Sequence, residues 1–182
     1  MISASSSSEN LKRAFLKAAG IVAQVAHTKE HENNRNALII SIPPGNLPCK
    51  RIFVLKWNPH KDQDILQQSI FHFISNIIQN VQLHQFTSIV FPAIGCGGHA
   101  CSVNVVVKTM VKGMKQHIEK RKLAWTVKFI IEPNQQNVYD EFCKQLLSSD
   151  HVPSHFQLPS TWENINGNQV NIGRLLTTSI QQ

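Results

Sequence analysis

Twelve consecutive residues carry most of the chemistry in this chain: Phe91-Pro92-Ala93-Ile94-Gly95-Cys96-Gly97-Gly98-His99-Ala100-Cys101-Ser102. Three glycines fall within four positions, between an apolar run and a stretch of helical periodicity. Glycine lets a backbone turn tightly and aim consecutive N–H groups at one point. A helix starting directly after such a turn adds positive potential at its N-terminus. That combination suits an anion, and a diphosphate is the natural guest. The plain alternative is that the glycines make a tight turn and nothing more.

The same segment supports three other readings. Gly95-x-Gly97-x-x-Ala100 is the alanine-ended form of the dinucleotide fingerprint, which expects an acidic residue about 20 positions on, at the end of the next strand. Here the first acid at such a place is Glu132, 32 residues past Ala100. A Rossmann-type, nucleotide-dependent enzyme therefore stands as an alternative. Cys96, His99 and Cys101 are metal-ligand types, yet they span six residues with no evident fourth ligand, where zinc asks for four. Cys96 beside His99 is the pairing of a thiol nucleophile with a base. No residue is assigned as catalytic and none as a metal ligand.

The elements that must position this loop alternate along the chain. Leu11, Phe15, Ala18, Val22 and Val25 recur at helical spacing and predict one amphipathic helix, with Ser6 and Glu9 spaced as a capping box. Ala37 to Ile42 reads as a strand stopped by Pro43-Pro44-Gly45, and Arg51 to Trp57 as another. Leu66, Ile70, Phe73, Ile77 and Val81 mark a helix, and Thr87 to Phe91 a strand leading into the glycine loop. Val103, Val107, Met110, Met114 and Ile118 mark the next helix, whose three valines at 105–107 need burial to sustain it. Trp125 to Ile131 reads as a strand, and Val138, Phe142 and Leu146 as the last helix. Such alternation implies an α/β class with a mainly parallel sheet. From His151 to Gln182 no period is evident, and the stretch reads as a tail or linker in which Ile172, Leu175 and Leu176 lack an assigned place.

The chain has 182 residues, enough for one domain with a tail. No apolar run approaches the roughly 18 residues of a membrane helix, and Met1 to Ser8 lacks the features of a signal peptide. Cys49, Cys96, Cys101 and Cys143 form no CxxC pair, so neither a disulfide framework nor a zinc ribbon is indicated. A net charge of +7 favours anionic partners. Lys108, Lys112, Lys115, Lys120, Arg121 and Lys122 supply much of it. With only Trp125 nearby for stacking, they read as a solvated face, so nucleic acid is compatible but not indicated.

Phe91 to Gly97 resembles the second phosphate loop of the macrodomain family, whose members hold ADP-ribose. Arg13-Ala14-Phe15-Leu16-Lys17-Ala18-Ala19-Gly20 resembles its first helix, Gly45-Asn46-Leu47-Pro48-Cys49-Lys50 its turn into the next strand, and Asn137 to Phe142 the start of its last helix. The nearest likeness is to the macrodomains of mono-ADP-ribosyltransferases in the poly(ADP-ribose) polymerase superfamily. Leu158-Pro159-Ser160-Thr161-Trp162-Glu163-Asn164-Ile165 resembles the segment that leads there to the transferase domain.

The resemblance implies a three-layer α/β/α fold and a site made by Ile94, Gly95, Cys96, Gly97, Gly98, His99 and Ala100 around the diphosphate and distal ribose. Pro133 and Tyr139 would lie on the adenine side. His99 stands where the family has an aromatic residue, and Ala100 where it has glycine. The family's first strands, with an acidic adenine reader and an Asn-Ala-Ala-Asn stretch, have no counterpart before Leu11. The expected fold is thus an incomplete macrodomain over residues 9–148, between a Ser-rich segment at 1–8 and a tail at 149–182; the alternative is that Met1 to Ser8 supply a makeshift strand. The implied function is binding of ADP-ribose or ADP-ribosylated proteins, weakened by that loss, without enzymatic activity, cofactor, metal or membrane. The implied location is nucleus and cytoplasm. A non-binding fragment of a transferase gene that acts through protein partners is the alternative within the family.

Overall fold

In the computed structural model the described residues are 2–4, 9–96, 101–132, 134–147 and 174–180. They fall into two compact units, the first reaching Pro59 and the second beginning at His60. No helix is long and apolar enough to cross a membrane among the described residues.

The first unit contains β1 (Ile2–Ala4), α1 (Glu9–Ala19), α2 (Ile21–Asn33), β2 (Ile39–Ile42) and β3 (Ile52–Lys56). β3 is the middle strand, with β1 parallel on one side and β2 antiparallel on the other. Its residues Ile52, Phe53, Val54 and Leu55 are all buried, as a central strand covered on both faces requires. Ala19, Ala23, Ile40, Ile42, Ile52 and Val54 form the core here, with Phe15, Leu16 and Ala26 packed onto it. A strand therefore precedes the first helix, at Ile2–Ala4, in the stretch that reads from composition only as serine-rich. Ser6, the proposed cap, lies outside the described residues.

The single helix expected from Leu11 to Val25 is two. Gly20 breaks it with φ 82, and the phase resets, so that Ala23 faces the core while Val22 and Val25 are 61% and 59% exposed. The joint has a steric cause. Asn46 N–H donates to the Ala19 carbonyl at 2.8 Å. A Cβ on Gly45, whose φ is 59, would lie 1.9 Å from that same oxygen, and a Cβ on Gly20 would lie 2.6 Å from Asn46 Nδ2. Only glycine at both places lets the 43–50 loop sit on the end of α1.

The second unit contains α3 (Gln63–Leu83), β4 (Ser88–Pro92), α4 (Val103–Lys120), β5 (Trp125–Ile131), α5 (Gln136–Leu147) and β6 (Arg174–Ile180). Asp62 caps α3 by accepting from Asp64 N–H and Ile65 N–H at 2.9 and 3.0 Å. The spaced apolar residues of α3 and α5 are buried as their period requires, and so are those of α4 from Val107 onward. α3 packs on α4, and α4 on α5. Val106 and Val107 are fully buried, which sustains α4 through its β-branched run.

β5 is central, with β4 parallel and β6 antiparallel. The expectation of a mainly parallel sheet is thus corrected: among the described residues, each of the two sheets has one parallel and one antiparallel pairing. Within 151–182, read from sequence as a tail or linker, Arg174–Ile180 forms strand β6. There Leu175 pairs opposite Ile130 and Leu176 opposite Phe129. Its apolar residues are adjacent rather than alternating, so the test for period two fails, although Thr177, Thr178 and Ile180 favour extended backbone.

Candidate functional site

The glycine loop leaves β4 at a strand end that is firmly held. Ile89 and Phe91 are buried at alternate positions. The Phe91 ring stacks on Phe129 at 5.9 Å, and Phe129 meets Phe142 of α5 at 4.6 Å, within the range of favourable aromatic pairs. Ala93 N–H donates to the Ile130 carbonyl at 3.1 Å and so continues the pairing with β5 past the strand. Ile94 is buried and anchors the start of the loop. Gly95 then turns the chain with φ 72, in the left-handed region that favours glycine. The Cys96 carbonyl accepts from Gln135 Nε2 at 3.5 Å.

On the far side, α4 begins with Ser102 as its N-cap. The Ser102 side chain makes no cap hydrogen bond, and the first turn carries no acidic residue. The positive end of the α4 dipole is therefore opposed by no carboxylate of its own. Asn104 in that turn donates from Nδ2 to Glu141 Oε1 of α5 at 2.9 Å.

Of the residues singled out in the sequence, the structure brings Ile94, Gly95 and Cys96 together at the C-terminal end of β4, where α/β sheets bind ligands. Gly97, Gly98, His99, Ala100 and Pro133 lie outside the described residues. Tyr139 is half-buried in the first turn of α5. Its N–H donates to the Gln135 carbonyl at 3.1 Å, and its side chain hydrogen-bonds with Cys143. Sequence reasoning did not single out Gln135 or Asn104, and Glu141 entered only as part of the last-helix likeness. Gln135 could have been found as the residue between a proline corner and a helix, the usual place for a cap. Asn104 and Glu141 leave no signal, because their pairing is made only by the packing of α4 on α5.

Burial pushes the Cys96 thiol up to about 12, and the neighbouring Cys101 adds to the effect. Burial also raises Cys101. Near neutral pH Cys96 is a protonated thiol. It carries no negative charge, and it is a poor nucleophile, which weighs against the thiol–imidazole reading. No group of three His, Cys, Asp or Glu side chains is gathered to hold a metal among the described residues. Lys108, Lys112, Lys120 and Lys122 are exposed, consistent with a solvated basic face.

The profile of the Macro domain family matches residues 6–110, more than half of the 182 residues, and spans the loop into α4. The chain belongs to the macro domain family. Among solved structures, this macrodomain is similar to the Oceanobacillus iheyensis macrodomain with ADP, at TM-score 0.66 and 19% identity, covering 75% of this chain and 74% of that one. A variant of the same Oceanobacillus iheyensis protein with ADPR gives TM-score 0.65 and 17% identity, covering 80% and 78%. The macro domain of ganglioside induced differentiation associated protein 2 gives TM-score 0.59 and 12% identity, covering 74% and 68%. At these identities the likeness is one of fold. No curated protein sequence matches the chain.

Proposed function

We propose that this macrodomain is a binding module for ADP-ribose or for proteins that carry it. The observation that supports the reading most is the β4–α4 junction, where Gly95 turns the chain at φ 72 and α4 opens without an acidic residue or a capping side chain. A diphosphate placed there meets backbone N–H groups and a positive helix end. Two of the similar solved structures hold ADP and ADPR. On this reading Ile94 to Ala100 surround the diphosphate and distal ribose, and Pro133 and Tyr139 flank the adenine. The protonated Cys96 thiol fits a binding role better than a nucleophilic one. Kinship with the macrodomains of mono-ADP-ribosyltransferases belongs to the same proposal and rests on Leu158 to Ile165.

Two substitutions in the loop set the expected strength. The imidazole of His99 offers less stacking area to the distal ribose than a larger aromatic ring. Ala100, where the family has glycine, strains any left-handed backbone there. The distal ribose should then add little, so ADP-ribose and ADP should bind within about tenfold of each other. Calorimetric titration with ADP-ribose, ADP and NAD tests this. Absence of binding by ADP-ribose would refute the proposal, and binding of NAD alone would move the chain to the dinucleotide-dependent enzymes.

A further inference from the structure

Helices α3 and α4 end side by side, and both end in the same way. At α3, Gln85 N–H donates to the Gln82 carbonyl at 2.8 Å and Phe86 N–H to the Val81 carbonyl at 3.0 Å. At α4, Lys122 N–H donates to the Glu119 carbonyl and Leu123 N–H to the Ile118 carbonyl, each at 3.0 Å. This pair of bonds is the Schellman stop, which puts the residue after the cap in the left-handed region. Gln85 and Lys122 take it with φ 56 and 51. The two turns are joined twice. Arg121 Nη1 donates to Gln82 Oε1 at 3.2 Å, and Thr126 N–H donates to the Thr87 carbonyl at 2.9 Å. They form one firmly held surface where β4 begins, at the opposite end of that strand from Gly95.

This surface carries an apolar side chain among cations. Leu83 is 78% exposed, more than any other large hydrophobic side chain among the described residues. Lys120 and Lys122 are exposed in the turn that half-buried Arg121 ties to α3. Glu119 in the same stretch interacts with Lys115 one turn back, so positive charge remains in excess. A helix C-terminus favours cations, which accounts for Lys120 and Arg121. It does not account for a leucine held out in water beside them.

We infer that the joined ends of α3 and α4 form a contact surface for an anionic lipid membrane. Leu83 is the inserting side chain, and Lys120, Arg121 and Lys122 meet the headgroups. Charge complementarity points to an acidic partner, and the projecting leucine decides which kind. An acidic protein would need a pocket matched to Leu83, whereas the boundary between headgroups and acyl chains accepts an apolar side chain anywhere along it. A contact of this kind needs no spanning helix, and it departs from the family resemblance, which implies no membrane. It is independent of the ADP-ribose reading, because β4 separates this surface from the glycine loop. Each cation near an anionic leaflet adds about fivefold to affinity, and burial of a leucine about tenfold or more.

The test is sedimentation of the full chain with vesicles of phosphatidylcholine, with and without phosphatidylserine, at low and high salt. Melting curves establish that each variant is folded. The wild type should bind only vesicles that carry phosphatidylserine, and salt should release it. Leu83→Ser should bind about tenfold more weakly, and Lys120→Gln/Lys122→Gln about thirtyfold more weakly. Lys108→Gln/Lys112→Gln removes the same charge from the exposed middle of α4, and screening over that distance should keep it within about threefold of wild type. Absence of wild-type binding to either vesicle overturns the inference and is the result expected if the occupant is an acidic protein. Equal loss in the two lysine pairs also overturns it, as the mark of a general attraction between a basic chain and an acidic surface. Full binding by Leu83→Ser overturns it as well, since nothing would then be inserted.

Discussion

Cys96 reports on how the loop is packed. Its thiol is pushed from the ordinary 9.0 to about 12 by burial and by Cys101. At pH 8 a thiol of the ordinary value is about one-tenth thiolate, whereas one at about 12 is thiolate in about one molecule in ten thousand. The reactive form thus falls about a thousandfold on folding. The rarer thiolate is intrinsically more nucleophilic, with a Brønsted slope near 0.45, which returns about twentyfold. The native chain should react with an aromatic disulfide reagent at Cys96 about fiftyfold more slowly than the urea-unfolded chain. Mass spectrometry of the modified peptides resolves the four cysteines. ADP-ribose should slow Cys96 further. Reaction at Cys96 within about threefold of the unfolded rate would mean that the loop is open at this point and the packing described here is wrong. The same shift sets a pH dependence. A thiol whose folded value is raised stabilises the fold below pH 9 and loses that contribution as pH rises from 9 towards 12. Cys96→Ala should therefore flatten the alkaline loss of stability relative to wild type.

Gly45→Ala should cost about 2–3 kcal/mol in urea unfolding, from a left-handed residue with a side chain and loss of the Asn46–Ala19 bond, since the new Cβ falls 1.9 Å from the Ala19 oxygen; a loss under about 1 kcal/mol would contradict the steric account. His117 is held below its ordinary value by burial and then by Arg121 and Lys120. Its neutral form is favoured by folding, so stability is full above pH 6.5 and lost as pH falls below it. His117→Gln should remove that acid-side slope, and an unchanged slope would count against the assignment.

The residues that make the fold legible are those buried at a regular period. Ile70, Phe73, Ile77 and Val81 of α3, and Val138, Phe142 and Leu146 of α5, are read from spacing and are buried in the structure. Trp125–Ile131 is bounded as a strand in both. Where the reading fails, a local steric rule overrides the period. Gly20 breaks one apparent helix into two because Asn46 approaches it, a contact 26 residues away that no window of sequence contains. β6 goes unread because Leu175 and Leu176 are adjacent, and a partner strand rather than an alternating pattern defines it. In the site, Ile94, Gly95 and Cys96 are legible as a turn between strand and helix. The bonds from Gln135 and Glu141 are not, since they depend on how α5 lies against that turn.

The claim that the glycine loop of this macrodomain receives a diphosphate is tested most directly at Gly97, in the middle of that loop. A carboxylate introduced there would oppose the ligand's charge where the backbone must approach it. Isothermal titration of wild type and Gly97→Glu with ADP-ribose should show one site in the wild type and at least a hundredfold weaker binding in the variant, about 2.7 kcal/mol. Melting curves confirm that both chains are folded. Equal affinity in the two would contradict the account and move any ligand site away from the β4–α4 junction.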